Sequence, residues 1–172
     1  KTIPCKTFDD VFKKATEDEE VRAIIPESNR TTGNIVVEYL IFKYRLNIYK
    51  EKFYPINHHL LALPGTSIKD IKNVYSHAQG LSQCSNFIKK NNFVENVRAD
   101  TAGSAKYISE SKINGEAAIA SKESAKIYNL DIVASDIQDD KSNITRFLLM
   151  GKSVIQPELK KEKYIPSFLF KL

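Results

Sequence analysis

Two polar side chains, Thr145 and Arg146, stand side by side where a polar segment meets an apolar one. The segment Asn143–Phe147 runs directly into Leu148–Met150, which Gly151 ends. The apolar run predicts a buried strand, so the hydroxyl and the guanidinium are expected at its N-terminal end. A guanidinium is suited to binding carboxylates through paired N–H donors. The pair therefore predicts a site for a small anionic ligand.

A second polar cluster contains Ser76, His77, Gln83 and Cys84. Ser76 and Gln83 are seven residues apart, so a helix that began at Ser76 would carry both on one face. Ser76 and His77 also suit the N-cap of a helix, and capping and ligand binding can coexist. Such a face would let the side chains of Ser76 and Gln83 converge on one ligand. We expect His77 to be structural and Cys84 to pack in the core.

The composition is that of an ordinary globular chain. Its 172 residues, 42% hydrophobic and 27% charged, can form one domain or two small lobes. The net charge of +5 comes from lysines scattered among acidic residues, without a block of like charges, so a nucleic-acid-binding tail is not expected. A mild positive charge would steer a dianionic substrate, although a lysine-rich composition produces the same charge by default.

Metal and membrane sites have little support in the sequence. Cys5 and Cys84 lack the spacing of metal ligands, and His58 and His59 are adjacent, so on a strand they would point to opposite faces. No apolar run approaches the roughly 18 residues of a membrane span, and no signal peptide opens the chain. We therefore expect no metal, no membrane contact and a cytoplasmic location.

The N-terminal part predicts a helix, a strand, a loop and a second helix. Thr7 and Asp10 have the pattern of a helix N-terminus, and the apolar face that follows comprises Phe8, Val11, Phe12 and Ala15. Val21–Ile25 predicts a strand that Pro26 ends, Glu27–Gly33 a polar loop, and Ile35–Tyr44 a helix.

Strands and helices alternate in the rest of the chain, which predicts an α/β architecture with a largely parallel sheet. The predicted strands are Leu46–Glu51, Phe53–Leu63, a short one from Val74, Val94–Arg98, Ala117–Ala120 and Ile132–Ala134, and the predicted helices are Leu81–Ile88, Ala102–Ser111 and one capped by Ser121. In open α/β sheets, ligands bind beyond the carboxyl ends of the strands. Ser28-Asn29, Ser76-His77 and Asp100-Thr101 all follow predicted strands and precede predicted helices.

Taken together, several segments resemble prephenate dehydratase. They occur in the family's order and at compatible spacing from about residue 7 to residue 151. The segments are Val74–His77 with Gln83–Cys84, Asp100–Lys106, Ala117–Ser121, Ile137–Asp139 and Asn143–Phe147.

The resemblance implies an α/β fold of two lobes, similar to a type II periplasmic binding protein. Each lobe would have a mostly parallel sheet, and the active site would lie in the interlobe cleft. Residues 1–49 and 146–172 would form the first lobe and residues 50–145 the second.

The resemblance also implies a hydro-lyase reaction, the decarboxylative dehydration of prephenate to phenylpyruvate on the path to phenylalanine, without metal or organic cofactor. Prephenate is a dianion whose ring hydroxyl leaves as the ring carboxylate departs and the ring becomes aromatic. Rigid hydroxyl and amide donors in a dry cleft can assist by positioning and electrostatics. The expected partner is this small dianion, not nucleic acid or a membrane, and a homodimer is left open.

Family roles carry over to matching positions. The threonine of the family's Thr-Arg-Phe motif is catalytic, so the resemblance makes Thr145 the catalytic residue. A threonine is too weak an acid to give up its proton unaided, so we expect Thr145 to donate a hydrogen bond to the leaving oxygen. A plain β-branched strand residue is the alternative. The implied substrate-binding residues are Asn29, Ser28, Ser76, Gln83, Thr101, Arg146 and Phe147, with a loop-bracing role as the alternative for Arg146.

The chain departs from the family pattern at two places. Family members open with a strand and a Gly-Pro-x-Gly-Thr turn that this sequence lacks, so we expect a first lobe without them or another segment in their place. The family's Pro-Ile-Glu-Asn-Ser is Pro26–Arg30 here, with Ser28 at the glutamate position and Arg30 at that of the serine. Either Glu27 compensates or the site is weakened.

The sequence ends at Leu172, so a C-terminal regulatory ACT module that binds phenylalanine, and feedback inhibition through it, are not expected. Two other functions compete with the leading one. The chain could be a non-catalytic, two-lobed module that binds an aromatic acid, or it could be an arogenate dehydratase.

Overall fold

The structure, a computed structural model, describes residues 1–35 and 38–154. The helices in this part of the chain are α1 Phe8–Glu17, α2 Glu38–Tyr44, α3 Ala78–Ser82, α4 Ser85–Lys90, α5 Thr101–Ser111 and α6 Lys122–Tyr128. The strands are β1 Ala23–Asn29, β2 Gly33–Asn34, β3 Asn47–Pro55, β4 His59–Ala62, β5 Asn73–Ser76, β6 Val94–Val97, β7 Glu116–Ala120, β8 Asp131–Ala134 and β9 Ile144–Gly151. Within these residues no helix has both the length and the apolar character needed to cross a bilayer.

The strands form two sheets, with orders β2-β1-β9-β3 and β6-β5-β7-β4-β8. In the five-stranded sheet β5 is parallel to both β6 and β7, whereas β4 is antiparallel to both β7 and β8. Four of its five strands therefore point the same way and β4 is the reversed strand, so this sheet is mixed, with two parallel and two antiparallel pairings. The alternation of helices and strands confirms the predicted α/β class.

The chain divides into two compact units. One comprises Lys1–Ile25, Val36–Glu51 and Leu148–Leu172, and the other comprises Pro26–Ile35 and Lys52–Phe147. The assignment of residues 1–49 and 146–172 to one lobe and 50–145 to the other stays a prediction, as does the position of a ligand between lobes; its last residues, 155–172, lie outside the described part of the chain.

The larger unit is built around β4 and β7, every residue of which is buried. Because side chains alternate across a strand, Leu60 and Ile119 enter one core cluster with the α3 residue Leu81, whereas Leu61 enters a second cluster with Ile108 of α5. Helices thus cover both faces of the sheet, which explains why its central strands are continuous apolar runs.

In the smaller unit, the predicted start of α1 is confirmed. Thr7 is the N-cap: its hydroxyl accepts from the Asp10 N–H, and the Asp10 side chain accepts from the Thr7 N–H in return. Asp9 accepts hydrogen bonds from Lys43 Nζ and Tyr44 Oη, which joins α1 to α2. These two donors hold the pKa of Asp9 below its ordinary value.

Three predictions near the N-terminus are wrong: the end of the first strand, the loop after it and the start of the second helix. The first strand continues through Pro26 to Asn29, because the proline ring removes one donor but its fixed φ is compatible with extended backbone. The predicted loop is a hairpin, in which Ser28 and Asn29 of β1 pair with Asn34 and Gly33 of β2. The helix predicted from Ile35 begins at Glu38 in the described residues.

The helix predicted across Leu81–Ile88 is two short helices. Gln83 ends α3 and Cys84 precedes α4, so the periodic apolar pattern continues while the helix does not. Cys84 is fully buried as expected, and burial raises the pKa of its thiol to about 12.

Candidate active site

Polar side chains from distant parts of the sequence meet at one place in the larger unit. The end of β1, the hairpin turn, the residue before β4, the C-cap of α3 and the start of β9 each contribute. The side chains are Asn29, Thr31, His58, Gln83, Asn143 and Thr145. Four of them are buried, with exposures of 5% for Asn29, 6% for His58, 2% for Asn143 and 5% for Thr145.

Four of these side chains form a closed ring of hydrogen bonds, which we call the polar ring. Gln83 Nε2 donates to Thr31 Oγ1 at 2.9 Å, and that hydroxyl donates to Asn29 Oδ1 at 2.7 Å. Asn29 Nδ2 donates to Asn143 Oδ1 at 2.8 Å, and Asn143 Nδ2 donates to Gln83 Oε1 at 3.1 Å. Each of the four residues therefore donates to the next one and accepts from the one before, so the hydrogen bonds all run in one direction around the ring.

The backbone fixes the direction of the ring. The N–H groups of Thr31 and Thr32 point at Asn29 Oδ1 at 3.0 and 3.2 Å, and a backbone N–H can only donate. That atom of Asn29 must therefore be the oxygen, so its other side-chain atom is the NH₂. The facing atoms of Asn143 and Gln83 then have to be the oxygen in each case.

Thr145 receives a hydrogen bond from the ring. Asn29 Nδ2 donates to Thr145 Oγ1 at 2.8 Å, and with its bond to Asn143 both hydrogens of that NH₂ are used. Since Nδ2 can only donate, the Thr145 oxygen is the acceptor and its own hydrogen stays available to a ligand. An accepted hydrogen bond polarises a hydroxyl and makes it a better donor. Thr145 is thus held as a donor.

His58 contacts the ring at Gln83. Its Nε2 lies 2.8 Å from Gln83 Oε1, which accepts, so Nε2 carries the hydrogen. Burial lowers the pKa of His58 below its ordinary value, and the hydrogen bond to Gln83 opposes this shift less strongly. The imidazole of His58 is therefore uncharged at neutral pH, and it contacts Gln83 through its Nε2–H.

Two predicted substrate-binding residues lie apart from the ring. Ser76 is fully buried at the end of β5, and its hydroxyl donates to the Ile119 carbonyl at 2.7 Å. The structure contradicts the single helix face expected for Ser76 and Gln83, because Ser76 belongs to a strand and Gln83 caps α3. A Cβ built on Gly80 would approach Thr101 Cγ2 to 3.5 Å and Ser76 Oγ to 2.7 Å, so Thr101 and Ser76 both face Gly80.

Arg146 braces the polypeptide at the base of the hairpin. Its Nη1 lies 3.3 Å from Glu27 Oε2, which also accepts from Ser28 Oγ at 2.6 Å. Ser28 stands at the family's glutamate position, and the carboxylate in this loop comes from the neighbouring Glu27 instead. This is the arrangement that compensation by Glu27 would require. Phe147, the next residue of β9, is partly buried.

The sequence did not single out three residues of the site. Asn143 lies two positions before Thr145, and this spacing places both on one face of an extended chain; that signal was available. His58 and Thr31 carried no such signal, since their partner Gln83 is 25 and 52 positions away along the chain.

A cavity of about 560 Å³ lies at the other end of the five-stranded sheet. Asp70 and Glu116 line it, with Lys72 among its walls. Two carboxylates against one ammonium would repel a dianion, so we place the candidate active site at the polar ring. Among residues 1–35 and 38–154, no three His, Cys, Asp or Glu side chains come together in a way that could hold a metal ion.

Comparisons with known proteins agree on one family. A family model for prephenate dehydratase matches residues 1–154. The chloroplastic arogenate dehydratase/prephenate dehydratase 2 of Arabidopsis thaliana is 42% identical over 156 residues, which cover 90% of this chain and 41% of that protein. The chain thus spans about two fifths of the length of the curated relatives it matches.

Similar solved structures include prephenate dehydratases. Prephenate dehydratase from Arthrobacter aurescens, in complex with L-Phe, matches with a TM-score of 0.82 and 28% identity over 92% of this chain and 54% of that one. GqqA, described as a novel type of quorum quenching acylase, matches with a TM-score of 0.80 and 25% identity over 90% of this chain and 56% of that one.

The fold is therefore that of an α/β domain of the periplasmic-binding-protein-like class, as predicted. The chain belongs to the prephenate dehydratase family. Because the Arabidopsis relative is named as chloroplastic, the comparisons do not support the cytoplasmic location expected from the sequence.

Proposed function

We propose that this chain carries the catalytic site of a prephenate dehydratase, which converts prephenate to phenylpyruvate, carbon dioxide and water in aromatic amino acid biosynthesis. One observation carries the proposal. Asn29 Nδ2 donates to Thr145 Oγ1, which leaves the Thr145 hydrogen as a donor at the start of β9. The proposed leaving group is a hydroxide-like oxygen, and such a donor is what it requires.

The reaction moves negative charge from one oxygen-bearing group to another. The bond between the ring carbon and its carboxylate breaks, its electron pair becomes part of the aromatic ring, and the bond to the ring hydroxyl breaks with it. The departing oxygen leaves as hydroxide, carries the charge that the ring carboxylate lost, and takes up one proton from solvent to become water. A preoriented hydrogen bond from Thr145 stabilises that oxygen most in the transition state, which is the condition for faster turnover.

The polar ring also offers further donors. Gln83 Nε2 and Asn143 Nδ2 each spend one hydrogen within the ring and keep a second. The acceptor Gln83 Oε1 is occupied twice, by Asn143 and by His58. Amide hydrogens remain for a ligand rich in oxygen acceptors, as a dicarboxylate is.

Other predicted residues serve the same ligand in this proposal. Asn29 orients Thr145, and Gln83 binds a substrate oxygen. Ser76 and Thr101 act indirectly in this proposal, since both face Gly80 of the helix that Gln83 caps, and Phe147 packs against the substrate ring. Ser28, Glu27 and Arg146 form a connected group beside β1. Arg146 pairs with Glu27 in this group, and its guanidinium has the geometry to recognise a substrate carboxylate.

A direct assay tests the proposal. Purified protein is incubated with prephenate at neutral pH, and phenylpyruvate is measured by its ultraviolet absorbance in alkali. Arogenate is supplied in parallel, with phenylalanine as the product measured, because the name of the Arabidopsis relative includes both activities. Glu110→Gln, which alters only an exposed ion pair with Lys106, is the matched control for protein handling.

We expect turnover of prephenate by the native protein and by the Glu110→Gln control. Turnover of arogenate alone would reassign the substrate while retaining the site. Binding of prephenate in a calorimeter without turnover of either compound would contradict the proposal and favour a non-catalytic module for aromatic acids.

A further inference from the structure

We propose that His58 is a positioning residue of this site, and that the segment Ile137–Asp139 holds both His58 and Gln83 in register for it. This inference rests on the proposed function, because the side chain that His58 positions is a member of the polar ring. The resemblance to the family singled out Ile137–Asp139, but neither the resemblance nor the ring gave it a role.

The backbone of His58 is fixed from two sides by this segment. Its carbonyl accepts from the Ile137 N–H at 2.9 Å, and its N–H donates to Gln138 Oε1 at 3.0 Å. The Gln138 side chain is itself held, since it is 7% exposed and its Nε2 donates to Asn57 Oδ1 at 3.2 Å. The position of the His58 backbone, and with it the direction in which the imidazole projects, is consequently fixed.

The same segment fixes the backbone of Gln83. The Asp139 N–H donates to the Gln83 carbonyl at 2.7 Å. The Asp139 carboxylate then accepts from Ser85 Oγ at 2.9 Å and from the Asn86 N–H, which anchors the first turn of α4. Three consecutive residues thus set the separation between the His58 and Gln83 backbones.

Between these fixed backbones, the side chains meet through a single hydrogen bond. Gln83 could present either its oxygen or its NH₂ to His58, and the two choices differ by a flip of the amide. An Nε2–H on His58 can donate only to the oxygen of Gln83, which reinforces the orientation that the polar ring needs. If the Gln83 amide were flipped, its NH₂ would face the NH₂ of Asn143. Two donors would then face each other, and the hydrogen bond between Asn143 and Gln83 would be lost.

Kinetics of two variants test the positioning role. His58→Gln keeps a side-chain NH₂ near the place of Nε2, whereas His58→Met has similar reach and no donor. We expect kcat for prephenate to fall on the order of ten- to a hundredfold in His58→Met, since small displacements of site groups have effects of this size. His58→Gln should retain most of kcat, and KM should change less than kcat. Equal losses in both variants, or full kcat in His58→Met, would overturn the proposal.

A measurement on the native protein does not depend on activity. In a ¹⁵N-labelled sample at neutral pH, we expect a His58 ring N–H that is protected from exchange and belongs to Nε2. The signal is assigned by its disappearance in His58→Gln. A His58 protonated on Nδ1 alone would overturn the inference even if prephenate is turned over. A protected Nε2–H in a protein without turnover would support the geometry and contradict only the proposed function.

Discussion

At the scale of single residues, the site depends on where each hydrogen bond begins and ends. Asn29 Oδ1 accepts from the backbone and side chains of Thr31 and Thr32, so its amide cannot turn without losing these bonds. A buried donor or acceptor left without a partner costs about 1–3 kcal/mol. The ring is consequently a rigid support for Thr145, and changes that invert one donor should affect the reaction more than the fold.

Asn29→Asp tests this inversion with the smallest change of shape. A carboxylate oxygen would replace Nδ2, face the oxygen of Asn143, and turn the Thr145 hydroxyl inward as its donor. We expect kcat to fall on the order of a hundredfold, as for the loss of one preoriented donor. Steady-state turnover of prephenate measures the effect.

Asn34→Asp, which adds the same charge in the exposed strand β2 of the same hairpin, is its control. A loss of equal size in that control would show that charge at the hairpin, and not the direction of the ring, matters.

The sequence predicted part of this site. Thr145, Asn29 and Gln83 were expected at the site, and the structure brings them together through hydrogen bonds of 2.8 to 3.1 Å, directly or through Asn143. Asn143 shares a face with Thr145 by spacing alone. His58 and Thr31 could not be found in this way, because their contacts require the fold that juxtaposes β1, β4 and α3.

At the scale of elements, the short helix α3 sets the position of Gln83. It begins after the N-cap His77, whose Nδ1 accepts from the Gln79 N–H, so His77 is structural as predicted. Gly80 is fully buried in this helix and faces Ser76. The close approach of α3 to β5 therefore depends on the absence of a side chain at position 80.

Gly80→Ala should move α3. The new Cβ would lie 2.7 Å from Ser76 Oγ, which cannot rotate away without losing its bond to Ile119. Overpacking of this kind costs typically about 1–3 kcal/mol, so we expect a lower midpoint of thermal unfolding together with reduced turnover.

Ser82→Ala, an exposed change to the same residue type in the same helix, should leave both quantities near native values. Thermal unfolding followed by circular dichroism and the prephenate assay measure them. A Gly80→Ala variant as stable and active as Ser82→Ala would contradict this prediction, because it would show that a methyl group fits between α3 and Ser76.

At the scale of the whole molecule, the sequence predicted the class of fold but not every strand direction. Alternating apolar runs and helices indicated an α/β architecture, and the family comparison agrees. The reversed direction of β4 was not predictable in this way, since a strand buried on both faces has the same apolar pattern whether its neighbours are parallel or antiparallel.

The edge of the five-stranded sheet connects fold to function. β5 and β7 are parallel, and β4 pairs its first residue, His59, with Ala120 at the end of β7. His58, Ser76 and Gln83 are thus brought to the edge where the carboxyl ends of β5 and β7 lie. This is the edge at which α/β sheets commonly bind ligands, so it agrees with the proposed site.

The proposed mechanism depends on the hydroxyl of Thr145, and a pair of variants tests that dependence most directly. Thr145→Val keeps the β-branched shape and removes the hydroxyl, whereas Thr145→Ser keeps the hydroxyl. The measurement is kcat for phenylpyruvate formation from prephenate, with thermal unfolding recorded for each protein. We expect Thr145→Val to lose on the order of 10²–10³-fold in kcat, with a native-like unfolding midpoint, and Thr145→Ser to retain most of it. A Thr145→Val protein that forms phenylpyruvate at the native rate would contradict the account.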